Sequence, residues 1–113
     1  MSRTGYMAAV AVLLSLSLPI AAQEPSYEAR LVLYCSATSA VAREQEKYGS
    51  DAAERAIAKV KARSHKLLAA EGFSDELIVL MAITSVEQVL HEIRSDEPRY
   101  YSQEQCDSVS IKP

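Results

Sequence analysis

The clearest indication of the fold in this 113-residue sequence is residues 75–95, which read DELIVLMAITSVEQVLHEIRS. Ser74, a favoured N-cap residue, precedes the stretch, and two carboxylates in the first turn stabilise the positive end of a helix dipole. Nearly every position from 77 to 83 is apolar, which is typical of a helix buried on several sides. We therefore predict a helix at the centre of a bundle, with the apolar stripe Val79, Ala82, Ile83, Val86, Leu90 and Ile93.

Two further helices are predicted before this one, over about 26–48 and 52–71. Apolar residues recur in both at the three- and four-residue spacing of one helix face. Gly49 and Gly72 follow the two segments, where a helix end favours a residue that adopts a left-handed conformation. The predicted N-terminal caps are Ser26 and Asp51, with Ser50 as the alternative to Asp51.

These segments predict an all-α protein, a small up-down bundle of three helices with a short C-terminal helical turn. Links of two to four residues make neighbouring helices antiparallel, and no segment alternates for long enough to indicate a strand. Ser102 and Gln105 have the spacing of a capping box and mark the short turn. The predicted core places Leu80, Ile83, Val86 and Leu90 against Leu31, Tyr34, Val60 and Leu67.

The first 22 residues have the pattern of a cleaved export signal. Arg3 precedes an apolar run over 7–18, and Pro19 ends that run shortly before small residues. Cleavage is predicted between Ala22 and Gln23, which leaves a single helical domain over 23–113. The alternative is a retained membrane anchor, which would need about 20 apolar residues, more than this run has.

Cys35 and Cys106 are the only two cysteines, and in an exported chain an even number favours pairing. We predict one disulfide that ties the C-terminal turn back onto the first helix. Two free thiols or a bridge between chains are the alternatives. The cysteines and the two histidines, His65 and His91, lack the spacing of metal ligands, so no metal site is predicted.

Charge and motif content narrow the classes of function. Without Arg3 the domain has 11 basic and 15 acidic residues, a net charge of −4, which disfavours nucleic acid as a partner. The sequence carries no haem-attachment motif, nucleophile elbow or phosphate-binding glycine loop. We expect no catalytic activity, no cofactor and no stable membrane insertion after signal cleavage.

A row of basic residues on the second helix is a candidate binding surface. Residues 51–71 sum to +2, whereas residues 74–113 sum to −5. The functional interpretation is a docking surface for an acidic partner or for anionic head groups. The structural interpretation is a solvated face that acidic residues across the bundle partly neutralise. This basic ridge consists of Arg55, Lys59, Arg63 and Lys66.

Two tyrosines near the C-terminus, Tyr100 and Tyr101, form the second candidate surface. Tyrosine is favoured at interfaces because its ring carries apolar area and its hydroxyl can hydrogen-bond. The pair could instead pack the tail onto the first helix, close to Cys106. Both interpretations remain open from the sequence.

The leading functional hypothesis is an exported, non-catalytic protein-interaction module, such as an inhibitor, an immunity-type partner or an envelope accessory protein, located in the periplasm or secreted. The alternative is an acid- or stress-responsive periplasmic chaperone, because small exported helical proteins with one disulfide include such chaperones. Protonating all carboxylates and both histidines would change the net side-chain charge from −4 to roughly +13, and such self-repulsion expands compact states.

Overall fold

A computed structural model describes residues 24–48 and 51–109. The predicted export signal, its cleavage site and Gly49 lie outside these residues. The described residues form four helices and no strand. They are α1 Tyr27–Tyr48, α2 Ala52–Ala70, α3 Asp75–Ser95 and a short α4 Gln103–Asp107. The predicted all-α bundle of three helices with a short C-terminal helix is confirmed.

Most of the predicted helix ends are stabilised as expected. The Ser74 hydroxyl accepts from the Leu77 amide (3.3 Å), and the Ser26 hydroxyl accepts from the Ala29 amide (3.1 Å). Asp51 makes no side-chain capping bond, so that predicted cap was wrong. Gly72 follows α2 with a positive φ of 96°, as its position predicts. The capping box of α4 is complete, with both Ser102 and Gln105 in place.

The most extensively buried helix is α1 rather than α3. Helices α2, α3 and α4 all pack against α1, whereas α3 packs against α1 and α2 only. The prediction that α3 is central was therefore wrong, because its apolar run is not matched by neighbours on every side. The buried residues of α1 are Ala29, Leu31, Leu33, Tyr34, Cys35, Ser36, Ala37, Ala40, Val41 and Glu44.

The core face of α3 is rotated from the predicted one. Leu80 and Ile93 are 56% and 55% exposed, so the prediction of Leu80 in the core and of Ile93 on the apolar stripe was wrong. Ile83 is half-buried, and Leu67 of α2 is half-buried against the core. Because several neighbouring positions are all apolar, the sequence did not distinguish among the possible faces. The residues of α3 that are buried are Ile78, Ala82, Val86, Val89, Leu90 and Glu92.

Two contacts place α3 against the N-terminal half of α1. The Ser26 amide, just before α1, donates to the Glu71 carboxylate (2.9 Å), so the α2–α3 turn lies at the start of α1. The Tyr34 hydroxyl contacts Glu92 near the end of α3. The chain therefore returns to the N-terminal half of α1 before it enters the tail.

Candidate functional site

One disulfide fixes the C-terminal tail to the bundle. Cys35 of α1 and Cys106 of α4 are bonded, with 5.5 Å between their Cα atoms. The predicted pairing within one chain is confirmed. The bond closes a loop across 71 positions. It holds α4 against α1, the helix that α4 contacts.

A buried hydrogen-bond network fixes the start of the same tail. The Tyr34 hydroxyl donates to Glu92 Oε1 (2.5 Å) and accepts from the backbone amide of Tyr100 (3.0 Å). The Gln88 side chain donates to the other oxygen of Glu92 (3.1 Å). Burial of the phenol and its bond to Glu92 raise the pKa of Tyr34. Tyr34 therefore joins α1, α3 and the tail at one point.

The two tail tyrosines have different environments. Tyr101 is 9% exposed and packs edge-on against Tyr34 (5.4 Å between ring centres) and Tyr27 (5.9 Å). Burial raises the pKa of Tyr101. Tyr100 is 67% exposed, although its ring lies only 4.8 Å from that of Tyr101. The structure thus assigns packing to Tyr101 and leaves the Tyr100 ring accessible.

Tyr27 extends the accessible aromatic area. Its side chain is 50% exposed, and its hydroxyl accepts a hydrogen bond from the Gln105 amide (3.0 Å). Both Tyr27 and Tyr100 contact the ring of Tyr101, so the three rings are continuous. We call the exposed rings of Tyr27 and Tyr100, with Tyr101 between them, the aromatic surface.

Two arginines lie beside this surface. Arg99 donates to Gln103 Oε1 (2.9 Å) and to Cys106 Sγ (3.3 Å), and its guanidinium carbon is 6.0 Å from the centre of the Tyr34 ring. Arg30 is exposed on α1 and near enough to Tyr101 to favour the ionised form of that phenol. Neither arginine forms an ion pair with a carboxylate of the described residues.

Two residues of the basic ridge face α1, and the other two are exposed to solvent. Lys59 pairs with Glu44 of α1 (2.7 Å), whose side chain is only 4% exposed. Arg63 is half-buried, and its pKa is lowered by burial first and by Arg43, while Glu44 opposes the shift. Neutralisation across the bundle, the structural interpretation, therefore accounts for Lys59.

The other two ridge residues, Arg55 and Lys66, are exposed. The basic ridge is thus not one continuous row of solvated cations, since its two middle members point toward α1. Whether any of its members binds a partner stays a prediction.

An open cleft of about 620 Å³ adjoins the disulfide. Its walls include Thr38 of α1, the Arg99 side chain and Asp107 of α4. The Gln103 side chain donates to Asp107 (2.9 Å) and accepts from Arg99, so the polar groups of the wall already satisfy one another. The cleft has the size of a small-ligand site but is open to solvent.

The burial of two carboxylates, those of Glu44 and Glu92, was not predicted from the sequence. They are 3% and 9% exposed, and each contacts a polar side chain of another helix. A signal was present, because Glu44 lies three residues after Val41 and Glu92 three after Val89. Both carboxylates therefore fall on the buried stripe of their helix.

Among the described residues no cluster of three metal-binding side chains is present. No helix in the same part of the chain is long and apolar enough to cross a membrane. Comparison of the chain with protein families, with curated proteins and with solved structures found no match.

Proposed function

We propose that this chain is an exported, non-catalytic protein-interaction module of the periplasm or secreted space that binds its partner through the aromatic surface. The proposal includes no cofactor and no metal. An inhibitor, an immunity-type protein or an envelope accessory protein would each use a small, rigid surface of this kind. The buried disulfide supports export, because such bonds persist in oxidising compartments.

The observation that carries the proposal is the rigid exposure of Tyr100. Its ring is 67% exposed, yet its backbone amide is bonded to Tyr34 and its ring rests on Tyr101. The disulfide holds the chain six residues further on. A preorganised aromatic side chain loses little conformational entropy on binding, which is why tyrosine is frequent at energetically important contacts.

Site-specific crosslinking tests this proposal. A photoreactive residue replaces Tyr100 in the mature oxidised protein, and a second protein carries it at Arg43, an exposed position on α1 outside the basic ridge, as the matched control. In the native envelope we expect one protein adduct, identified by mass spectrometry, at position 100 and not at 43. Equal labelling at both positions, or none at either, would contradict the proposal.

Export is tested separately by the intact mass of the protein recovered outside the cytoplasm. The proposal expects a chain that begins at Gln23, whereas an uncleaved chain held in the membrane would favour the anchor. Turnover of an envelope substrate by the purified protein would overturn the non-catalytic assignment.

A specific observation also favours the chaperone alternative. Glu44 and Glu92 are buried carboxylates at helix contacts, and Glu44 pairs with Lys59. Protonating Glu44 removes its ion pair with Lys59 and so weakens the α1–α2 contact. This alternative expects apolar dye binding and suppression of client aggregation at about pH 2 to 3, with neither at neutral pH. A protein that stays compact and inert in acid would rule the alternative out.

A further inference from the structure

We infer that the aromatic surface binds an acidic segment of the partner protein, with Arg30 and Arg99 pairing with the carboxylates of that segment. The inference rests on the proposed function and names the chemistry of the partner. Arg30 lies three residues after Tyr27 on α1, where side chains are neighbours on a helix surface. Arg99 directly precedes Tyr100 in the tail. Arg30 thus lies beside Tyr27, and the Arg99 guanidinium lies over the ring of Tyr34, whose centre is 6.4 Å from that of Tyr100.

The carboxylates that could neutralise these arginines are already engaged. Glu92 accepts from Tyr34 and Gln88, Glu97 pairs with His91 (3.2 Å), and Asp107 accepts from Gln103. These carboxylates are held by other partners, and none of them forms an ion pair with Arg30 or Arg99.

Two further exposed carboxylates lie in the first turns of helices. Glu28 is in the first turn of α1 and Glu104 in the first turn of α4. A carboxylate at that position stabilises the positive end of its own helix dipole. Neither forms an ion pair within the described residues. An acidic ligand at the aromatic surface thus meets two arginines without an ion pair, although the chain as a whole is acidic.

Arg99 is also oriented for binding. A guanidinium has five N–H donors, and Arg99 uses one for Gln103 and one for Cys106 Sγ. The remaining donors retain the planar fork that matches a carboxylate with two parallel hydrogen bonds. Because the side chain is already held in place, less entropy is lost when a carboxylate binds.

The same features disfavour other occupants. Anionic membrane surfaces select clusters of about four to eight basic residues, whereas only two arginines lie at the aromatic surface. Exposed tyrosine together with arginine is instead the composition of protein contacts that contribute most binding energy. The expected ligand is a segment with an apolar or aromatic residue between carboxylates.

Selection from a displayed library of random dodecapeptides tests the inference. The mature oxidised protein is the bait, and the variant Tyr100→Ser is used for counter-selection. We expect the enriched peptides to be acidic and to contain an aromatic or large apolar residue. The affinity of the best synthetic peptide should fall roughly tenfold or more in Arg30→Glu with Arg99→Glu, and should weaken with salt.

Control variants separate charge from structure. Arg43→Glu has the same change of charge at an exposed position on α1, about 20 Å along the helix from Arg30, and should change the affinity by less than about twofold. Arg99→Gln keeps a polar side chain with N–H donors but removes the charge, and should still weaken binding. Far-UV circular dichroism and thiol assays confirm that each variant is helical and oxidised.

Each outcome distinguishes the inference from the proposed function. If no peptide binds in a Tyr100-dependent way, the proposed function fails. If Tyr100-dependent peptides are neutral or basic, or are insensitive to the arginine reversals, the inference fails and the proposed function stands. Tyr100-dependent self-association in light scattering would assign the surface to a second copy, and equal competition by phosphatidylglycerol vesicles would assign it to a membrane. Either result would overturn the inference.

Discussion

The contact of α1 with α2 and the contact of α1 with the tail each contain a buried carboxylate, but the two carboxylates are stabilised differently. Glu44 is paired with a cation, Lys59, with Arg63 nearby. Glu92 is held by uncharged donors, the Tyr34 phenol and the Gln88 amide. The contact of α1 with α2 therefore uses a cation of the basic ridge. At the contact of α1 with the tail, Arg30 and Arg99 form no ion pair with the described carboxylates.

This difference indicates where a partner can bind. At the α1–α2 contact the middle of the basic ridge stabilises the fold, so a charge reversal of Lys59 would alter stability as well as any binding. At the tail, Tyr34 and Tyr101 hold the backbone while Tyr100 remains exposed. The tail therefore separates the residues that stabilise it from the residue available to a partner.

Removing the disulfide should have the largest effect on stability. Replacing both Cys35 and Cys106 with Ser should lower the free energy of unfolding by about 4 kcal/mol, because a long loop in the unfolded chain is no longer closed. Urea denaturation followed by circular dichroism measures this. The wild type after reduction is the control and should match the double variant. A loss below about 1 kcal/mol would show that the hydrogen bonds of the tail suffice without the bond.

The two tail tyrosines should differ strongly when each is truncated. Tyr101→Ala removes a buried ring that contacts Tyr27 and Tyr34, and should cost about 3 kcal/mol. Tyr100→Ala is the matched control and should cost less than about 1 kcal/mol, because its ring is exposed and its backbone hydrogen bond is retained. Thermal unfolding of both proteins checks the contrast. Equal losses would mean that the Tyr100 ring is part of the core rather than an available surface.

Substitution of Lys59 should lower the stability of the protein, whereas substitution of Lys66 should have little effect. Lys59→Met leaves the buried Glu44 carboxylate without this partner and should destabilise the protein by about 1 to 3 kcal/mol. Lys66→Met, on the exposed side of α2, should stay within about 0.5 kcal/mol of the wild type. Denaturant titration at neutral pH compares the two. If the two variants lose equally little, the basic ridge is a solvated face throughout.

Removing the Tyr34 hydroxyl tests the uncharged contact. Tyr34→Phe deprives the Glu92 carboxylate and the Tyr100 amide of their shared partner and should cost about 1 to 2 kcal/mol. Tyr27→Phe is the control, because its hydroxyl bond to Gln105 is exposed. Hydrogen exchange should show faster opening of the tail in Tyr34→Phe and unchanged exchange in α2. A uniform acceleration across all helices would contradict a role confined to the tail.

Alkaline pH should weaken the contact of the tail with α1. The raised pKa of Tyr34 means that the folded protein binds this proton more tightly than the unfolded chain, whose phenol has the ordinary value of 10.0. The resulting stabilisation is complete below pH 10 and is lost as the pH rises through the raised pKa. Tyrosinate absorbance should include two late-titrating phenols, Tyr34 and Tyr101, and Tyr34→Phe should retain one of them. Identical titration curves would refute the buried environment of Tyr34.

Local pattern predicted the helices well, because each end depends on nearby residues. Ser74 and the Ser102–Gln105 capping box acted as expected, and the pairing of Cys35 with Cys106 followed from the number of cysteines. The core face of α3 was predicted less well. Its apolar run offers several faces, and only the positions of α1 and α2 select Ile78 and Val86 over Leu80.

The sequence by itself determined an all-helical chain with one disulfide and two candidate surfaces, because helix periodicity, capping and cysteine number are local or countable properties. Tertiary structure alone decided that Lys59 pairs with a buried carboxylate, and that of two adjacent tyrosines Tyr101 is buried and Tyr100 is exposed. The physical reason is that periodicity specifies how side chains are arranged around one helix. It does not specify how α3 packs against α1, and the contact of Glu92 with Tyr34 determines where the tail lies.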